Sequence, residues 1–131
     1  MVRDQRIDEV VANFGSRIGI EQLAFDESER ASYAYDGFRF TLYFGSVPMD
    51  LLWIFVDLGG VNDYGSEALS DLLHLDEQAW SQRCLTVSID DCGERVIGYA
   101  SIEASELDEH RLAEVVARMS ESASKVRQAV A

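Results

Sequence analysis

The chain has 131 residues, of which 47% are hydrophobic and 10% aromatic, which is enough apolar material for a core and excludes disorder as its main state. Its 24 acidic and 11 basic residues give a net charge of −13, which repels nucleic-acid backbones and anionic membrane surfaces. The longest apolar run, Leu51 to Val56, is far shorter than the ~20 residues that span a bilayer. From the length we expect one domain over residues 1–131, and from the charge and the short apolar run we expect no nucleic-acid or membrane partner.

The first predicted element is an amphipathic helix. Its apolar residues recur three and four positions apart, as on one face of a helix, and they are Ile7, Val10, Val11, Phe14 and Ile18. Asp4 is expected to cap the start of this helix. Gly15 and Gly19 predict that the helix ends between them.

Three strands are predicted next. Ala31, Tyr33 and Tyr35 alternate with other residues, and Asp36-Gly37 is a strong hairpin signal, because a type I′ turn needs two residues with positive φ. The return strand places one set of large side chains on a single face, namely Phe38, Phe40, Leu42 and Phe44. The run 51–58 is apolar on both faces apart from Asp57, which predicts a central strand covered on both sides.

The second half of the chain is predicted to hold a short helix, two strands and a long helix. Ser66 is the expected cap of the short helix, whose apolar residues are Leu69, Leu72 and Leu73. Strands are expected near 84–89 and 95–102, joined by a turn at 90–93. The stretch 105–108 is similar to a capping box and predicts the start of the last helix there. The stretch 75–82 fits either a continued helix or an ordered loop.

The predicted order is therefore helix, three strands, helix, two strands, helix. Because short turns join the strands, we expect an α+β fold in which an antiparallel sheet carries its helices on one face. No repeat, low-complexity tract or linker interrupts this order.

Residues suited to catalysis are scarce. His74 and His110 are the only histidines, and Cys84 and Cys92 are the only cysteines, a number that fits a reduced cytosolic compartment. A nucleophilic pair of Cys84 with His74 is conceivable, whereas the position of Cys84 on an apolar strand favours a small buried side chain. We expect no catalytic residue, no metal site, no cofactor and no enzyme activity.

Several short segments resemble one bacterial family. They are 18–20 (Ile-Gly-Ile), 23–27 (Leu-Ala-Phe-Asp-Glu), 35–37 (Tyr-Asp-Gly), Leu58-Gly59 and Leu72-Leu73. With the order of elements, the size and the acidity, they are similar to the class I type III secretion chaperones, the family that includes the Tir chaperone. The chain departs from the family at Glu29, where a turn glycine is common, and at 75–82, which lacks an Asn- and Gly-rich loop.

The resemblance implies an ATP-independent homodimeric chaperone of the bacterial cytoplasm, connected with virulence. Such a protein holds the N-terminal region of a cognate effector in extended form, soluble and ready for secretion. We expect an apolar groove beside the first helix, or a free sheet edge, to bind the effector through Val11, Phe14, Ile18, Tyr33 and Tyr35. The predicted dimer interface consists of Leu69, Leu72, Leu73, Leu85 and Val87.

Other interpretations stay open at this point. The helix residues assigned to the groove, and the face of the return strand that begins at Phe38, could be core. A cytosolic regulator or adaptor of similar α+β fold, unconnected with secretion, is the second hypothesis for function. A small enzyme that uses Cys84 or a pair of carboxylates is the third.

Overall fold

The structure, a computed structural model, describes residues 5–45, 50–65, 67 and 86–130. Its helices and strands follow the predicted order in these ranges. They are α1 (Gln5–Arg17), β1 (Arg30–Tyr35), β2 (Phe38–Gly45), β3 (Leu51–Gly60), β4 (Thr86–Ile89), β5 (Arg95–Glu103) and α2 (Glu109–Val130). The predicted short helix with Leu69, Leu72 and Leu73 lies outside the described residues, as do Asp4, His74, Cys84 and Leu85.

The five strands form one antiparallel sheet in the order β1-β2-β3-β5-β4. This confirms the predicted α+β class and the central position of β3. The first strand of the chain, β1, forms one edge of the described sheet, and β4 forms the other. Both helices lie against one face of this sheet, where their apolar sides join the core.

The β1–β2 hairpin has the predicted turn. Asp36 and Gly37 have φ angles of 54° and 83°, the left-handed values that a two-residue type I′ turn requires. The hairpin is also tied to the last helix, because the Ser120 hydroxyl donates a hydrogen bond of 2.6 Å to an Asp36 carboxylate oxygen. The Arg127 guanidinium lies 4.2 Å from the centre of the Phe38 ring, a cation–π contact at the same place.

The end of α1 depends on a close approach of backbone. The helix ends at Arg17, between the two glycines as predicted, and Gly19 has a φ of 86°. A Cβ atom at Gly15 would lie only 2.6 Å from Leu23 Cβ. Glycine at this position therefore lets the segment after α1 fold back onto the helix, beside Ile18.

The core lies between the helices and the inner face of the sheet. Its fully buried large side chains come from α1, the three central strands and α2, and they include Phe14, Phe40, Leu42, Leu52, Ile54, Leu112 and Met119. The prediction that the inner face of β2 is core is confirmed, since Phe38, Phe40 and Leu42 are buried and Phe44 packs against them.

Two expectations from the sequence need correction. The last helix begins at Glu109 rather than near 105, because 104–106 forms a 3-10 turn and the Asp108 carboxylate caps α2 through the Arg111 amide at 2.7 Å. The strand β3 is not covered on both sides by the described residues. Burial alternates along it, so that Leu52, Ile54, Val56 and Leu58 are buried while the residues between them are half-buried.

Candidate functional site

Within the described residues, β1 has no second neighbouring strand, and this edge is the first feature that could bind a partner. The two-residue turn makes Tyr35 and Phe38 a hydrogen-bonded pair, and bonded pairs alternate along an antiparallel ladder. The backbone groups of Ser32 and Ala34 therefore point away from β2, along the edge. Their side chains are exposed on the outer face of the sheet. An extended peptide could pair with these backbone groups as an additional strand.

One end of this edge is already occupied by the chain itself. The Asp26 amide donates to the Arg30 carbonyl at 2.8 Å, and the Asp26 carboxylate accepts from the amides of Ser28 and Arg30. These bonds, the one from the Arg30 amide above all, hold the pKa of Asp26 below its usual value. The Leu-Ala-Phe-Asp-Glu segment of the sequence thus closes the start of β1 and leaves Ser32 and Ala34 as its open positions.

Glu29 explains one departure from the family pattern. It has a φ of 61°, a left-handed value, so the position has the geometry that favours glycine.

A groove lined by both apolar and charged side chains lies beside the β1 edge, between the two helices. Its volume is about 610 Å³. Ile18 of α1 and Tyr35 of β1 are half-buried in it, and the small side chains of Ala113 and Ala117 on α2 leave the space open. Its remaining lining residues are Phe14, Arg17, His110 and Glu114.

A cluster of three aromatic rings lies in the core next to this groove. The Phe14 ring meets the Tyr33 ring edge to face at 5.5 Å, and Tyr33 stacks on Phe40 at the same centroid distance. The Tyr33 hydroxyl is buried and has no hydrogen-bond partner in the described part of the chain. Burial raises the pKa of this hydroxyl far above its usual value, with a smaller contribution from Tyr35.

The structure separates the predicted effector-binding residues into two groups. Val11, Phe14 and Tyr33 are buried in the core, at 0%, 0% and 6% exposure, and present almost no surface to a partner. Ile18 and Tyr35 are half-buried, and both line the groove.

The predicted dimer residues are described at one position only. Val87 lies on the inner face of β4 and is buried in the core. Leu69, Leu72, Leu73 and Leu85 are not among the described residues.

The outer face of the sheet carries aromatic residues that the sequence interpretation missed. Trp53 and Phe55 of β3 contact Tyr99 of β5, with ring centroids 6.1 and 6.3 Å from it. Tyr43 of β2 is 37% exposed on the same face. A groove of about 740 Å³ crosses this face between Arg30 and the 90–92 turn. The signal for this surface in the sequence is the second set of large side chains in 51–58, which the sequence interpretation assigns to a covered strand face.

An ion pair between Arg95 and Asp57 lies on the outer face, beside the aromatic residues. Arg95 Nη2 lies 2.7 Å from an Asp57 carboxylate oxygen, and the Gly59 amide donates to the same carboxylate at 2.9 Å. Desolvation opposes the charge, but these bonds outweigh it and hold the pKa of Asp57 below its usual value. Cys92 is exposed in the neighbouring turn, where the Arg95 amide donates a hydrogen bond to the Asp90 carboxylate at 3.2 Å.

The described helices and side chains show two further properties. None of those helices has the length and apolar content needed to cross a membrane. No group of three histidine, cysteine, aspartate or glutamate side chains converges as a metal site in the ranges 5–45, 50–65 and 86–130.

Comparison with known families decides the membership of the chain. The model of the Tir chaperone protein (CesT) family matches residues 9–127. The chain belongs to the CesT family. This confirms the resemblance found in the sequence and identifies the protein as a secretion chaperone, whose family role is not enzymatic. No curated protein matches the chain in sequence.

Solved structures share the fold over nearly the whole chain. A chain of the ExsC–ExsE complex has a TM-score of 0.85 at 23% identity, with 99% of this chain and 97% of that chain covered. The HopA1–SchA chaperone–effector complex gives 0.75 at 17%, covering 97% and 99%. The heterodimeric ExoU–SpcU complex of the Pseudomonas aeruginosa type III secretion system gives 0.65 at 20%, covering 95% and 97%.

Proposed function

We propose that this chaperone binds the N-terminal region of a cognate secreted effector in extended form, without ATP, and keeps it soluble and competent for type III secretion. The observation that carries the proposal is the edge position of β1 beside the groove between α1 and α2, in which Ile18 and Tyr35 are half-buried. The chaperone–effector complexes among the structural neighbours support it.

Strand addition explains how one segment would use both features. A peptide paired with Ser32 and Ala34 sends alternate side chains to opposite faces of the sheet. One set enters the groove against Ile18 and Tyr35. The other set lies on the outer face, where the aromatic surface that includes Tyr43 can receive apolar residues further along the effector.

We further propose that the protein is a homodimer of the bacterial cytoplasm, formed through the interface with Leu69, Leu72 and Leu73, and that it has no catalytic activity. Family membership supports all three statements. Sedimentation at micromolar concentration should give about twice the monomer mass of 14.7 kDa. Leu73→Asp should dissociate the dimer, because a buried charge without a partner costs several kcal/mol. A monomeric wild-type protein would contradict the dimer.

The groove can be tested by filling it. The effector segment is first identified by co-expression with the product of the adjacent open reading frame, and its affinity is measured by calorimetry. Ala117→Leu places a larger side chain in the groove, and Ser16→Leu makes a comparable change at an exposed position of α1 outside it. We expect Ala117→Leu to weaken binding by about 1–3 kcal/mol, and Ser16→Leu to leave it unchanged.

The edge can be tested by removing one backbone donor. Ala34→Pro deletes an amide that points away from β2, a position where proline is compatible with an edge strand. Ala34→Val keeps the amide and serves as the matched control. Loss of affinity in the proline variant alone supports strand addition, whereas equal affinity in both variants contradicts it.

The adaptor hypothesis predicts a different result. A folded partner that docks on the exposed aromatic face depends on Tyr43 and not on the groove. Tyr43→Ala would then abolish binding while Ala117→Leu and Ala34→Pro bind normally.

A further inference from the structure

The positively charged side chain of Arg17 lies at the mouth of the groove between the helices. Arg17 lines this groove, and its Nη1 atom lies 2.9 Å from His110 Nδ1 and 3.4 Å from a Glu109 carboxylate oxygen. Both contacts use the same nitrogen. Within the described residues, no hydrogen bond reaches Nη2 or Nε of Arg17. The Arg17 side chain is 43% exposed.

The carboxylates near the groove are already engaged. Glu114, which also lines it, lies 3.1 Å from Arg118 and 3.5 Å from Arg111. Asp108 caps the first turn of α2 and is thereby committed to the backbone. The groove mouth therefore differs from the protein as a whole, which has a net charge of −13. Arg17 lines the groove itself, so a carboxylate of a peptide seated there can pair with it directly.

We infer that Arg17 is a specificity-determining residue, which selects effector segments with an acidic residue next to the apolar residue seated on Ile18 and Tyr35. This inference rests on the proposed function. A carboxylate can accept two parallel hydrogen bonds from Nη2 and Nε, the preferred geometry of an Arg–carboxylate pair. A lysine or arginine at the same position meets a like charge instead.

The test is selection from a displayed library of random 12-residue peptides on four immobilised proteins. They are the wild type, Arg17→Glu, Arg39→Glu and Ala117→Leu. Arg39 is exposed on the outer face of β2 and does not line the groove, so its reversal changes the net charge equally but on the other face of the sheet. Sequencing of the retained peptides gives the ratio of acidic to basic residues beside the shared apolar position.

We expect the wild type and Arg39→Glu to favour acidic over basic residues by about fivefold, which is the upper range for a partly exposed ion pair. Arg17→Glu should reverse the ratio, and Ala117→Leu should lose the peptides. No acidic preference in the wild type, or equal changes in Arg17→Glu and Arg39→Glu, overturns the inference and leaves the proposed function standing. Retention of the same peptides by Ala117→Leu shows that the groove is not used, which contradicts both.

Discussion

Both faces of the central strand carry large apolar side chains, and they differ in how far these side chains are buried. Leu52, Ile54 and Val56 lie under the helices and are fully buried. Trp53 and Phe55 alternate with them, contact each other and Tyr99, and stay half-buried. The comparison teaches that an apolar strand face can be sealed in the core or left half-buried, and that among the described residues only the inner face of this sheet lies under helices.

Truncation of matched aromatic residues on β2 should show the largest difference between the faces. Phe40→Ala removes a fully buried ring and should lower the free energy of unfolding by about 3–5 kcal/mol. Tyr43→Ala, on the outer face, should lower it by less than about 1 kcal/mol. Denaturant unfolding measures both. Equal losses would show that the outer face is also part of the core.

Two buried tyrosines should respond to loss of the hydroxyl in opposite directions. Tyr33→Phe removes a buried hydroxyl without a described partner and should stabilise the protein by about 1–2 kcal/mol. Tyr64→Phe removes a hydrogen bond of 2.6 Å to the Leu58 carbonyl and should destabilise it by about 1 kcal/mol. Thermal unfolding of the two variants gives the signs, and destabilisation by Tyr33→Phe would mean that its hydroxyl is bonded.

The same tyrosine predicts a loss of stability at high pH. Burial raises the pKa of Tyr33 above the ordinary value of 10.0. Above that pH the unfolded chain releases the proton while the folded chain retains it, so stability falls as the pH rises. Unfolding measured from pH 9 upward should show a smaller fall in Tyr33→Phe than in the wild type. If stability falls equally with pH in Tyr33→Phe and the wild type, a group other than Tyr33 causes the loss.

The hydrogen bond between the hairpin and α2 should contribute to the free energy of unfolding far less than the Phe40 ring does. Ser120→Ala removes the donor to Asp36, a partly buried charge-assisted bond, and should cost about 1–2 kcal/mol. Because Tyr35 precedes this turn, effector affinity should fall as well. If Ser120→Ala lowers the stability but leaves effector affinity unchanged, the Ser120–Asp36 bond has only a structural role.

The smallest effect is expected at Cys92. It is exposed in the turn at the rim of the outer groove. We assign it neither a nucleophilic role nor a disulfide, so Cys92→Ser should leave both stability and effector binding unchanged within about 0.5 kcal/mol. Loss of binding in this variant would overturn that assignment.

The sequence predicted the elements better than it predicted their surfaces. Periodicity and the Asp36-Gly37 turn were enough to place α1 and the hairpin, because local geometry determines both. Burial could not be assigned in the same way. Phe14 and Ile18 share one helix face, yet Phe14 is fully buried against Tyr33 while Ile18 is only half-buried, beside the small side chains of α2 almost 100 residues later. The outer aromatic face was missed because an apolar strand face gives no signal about what covers it.

The central claim is that an extended effector segment adds to the edge of β1. Amide hydrogen exchange of the protein, free and in complex with its effector segment, tests it most directly. We predict that the amides of Ser32 and Ala34, which point away from β2, exchange slower by on the order of tenfold or more in the complex. Unchanged exchange at these two amides, in a complex that calorimetry shows to be saturated, would contradict the account.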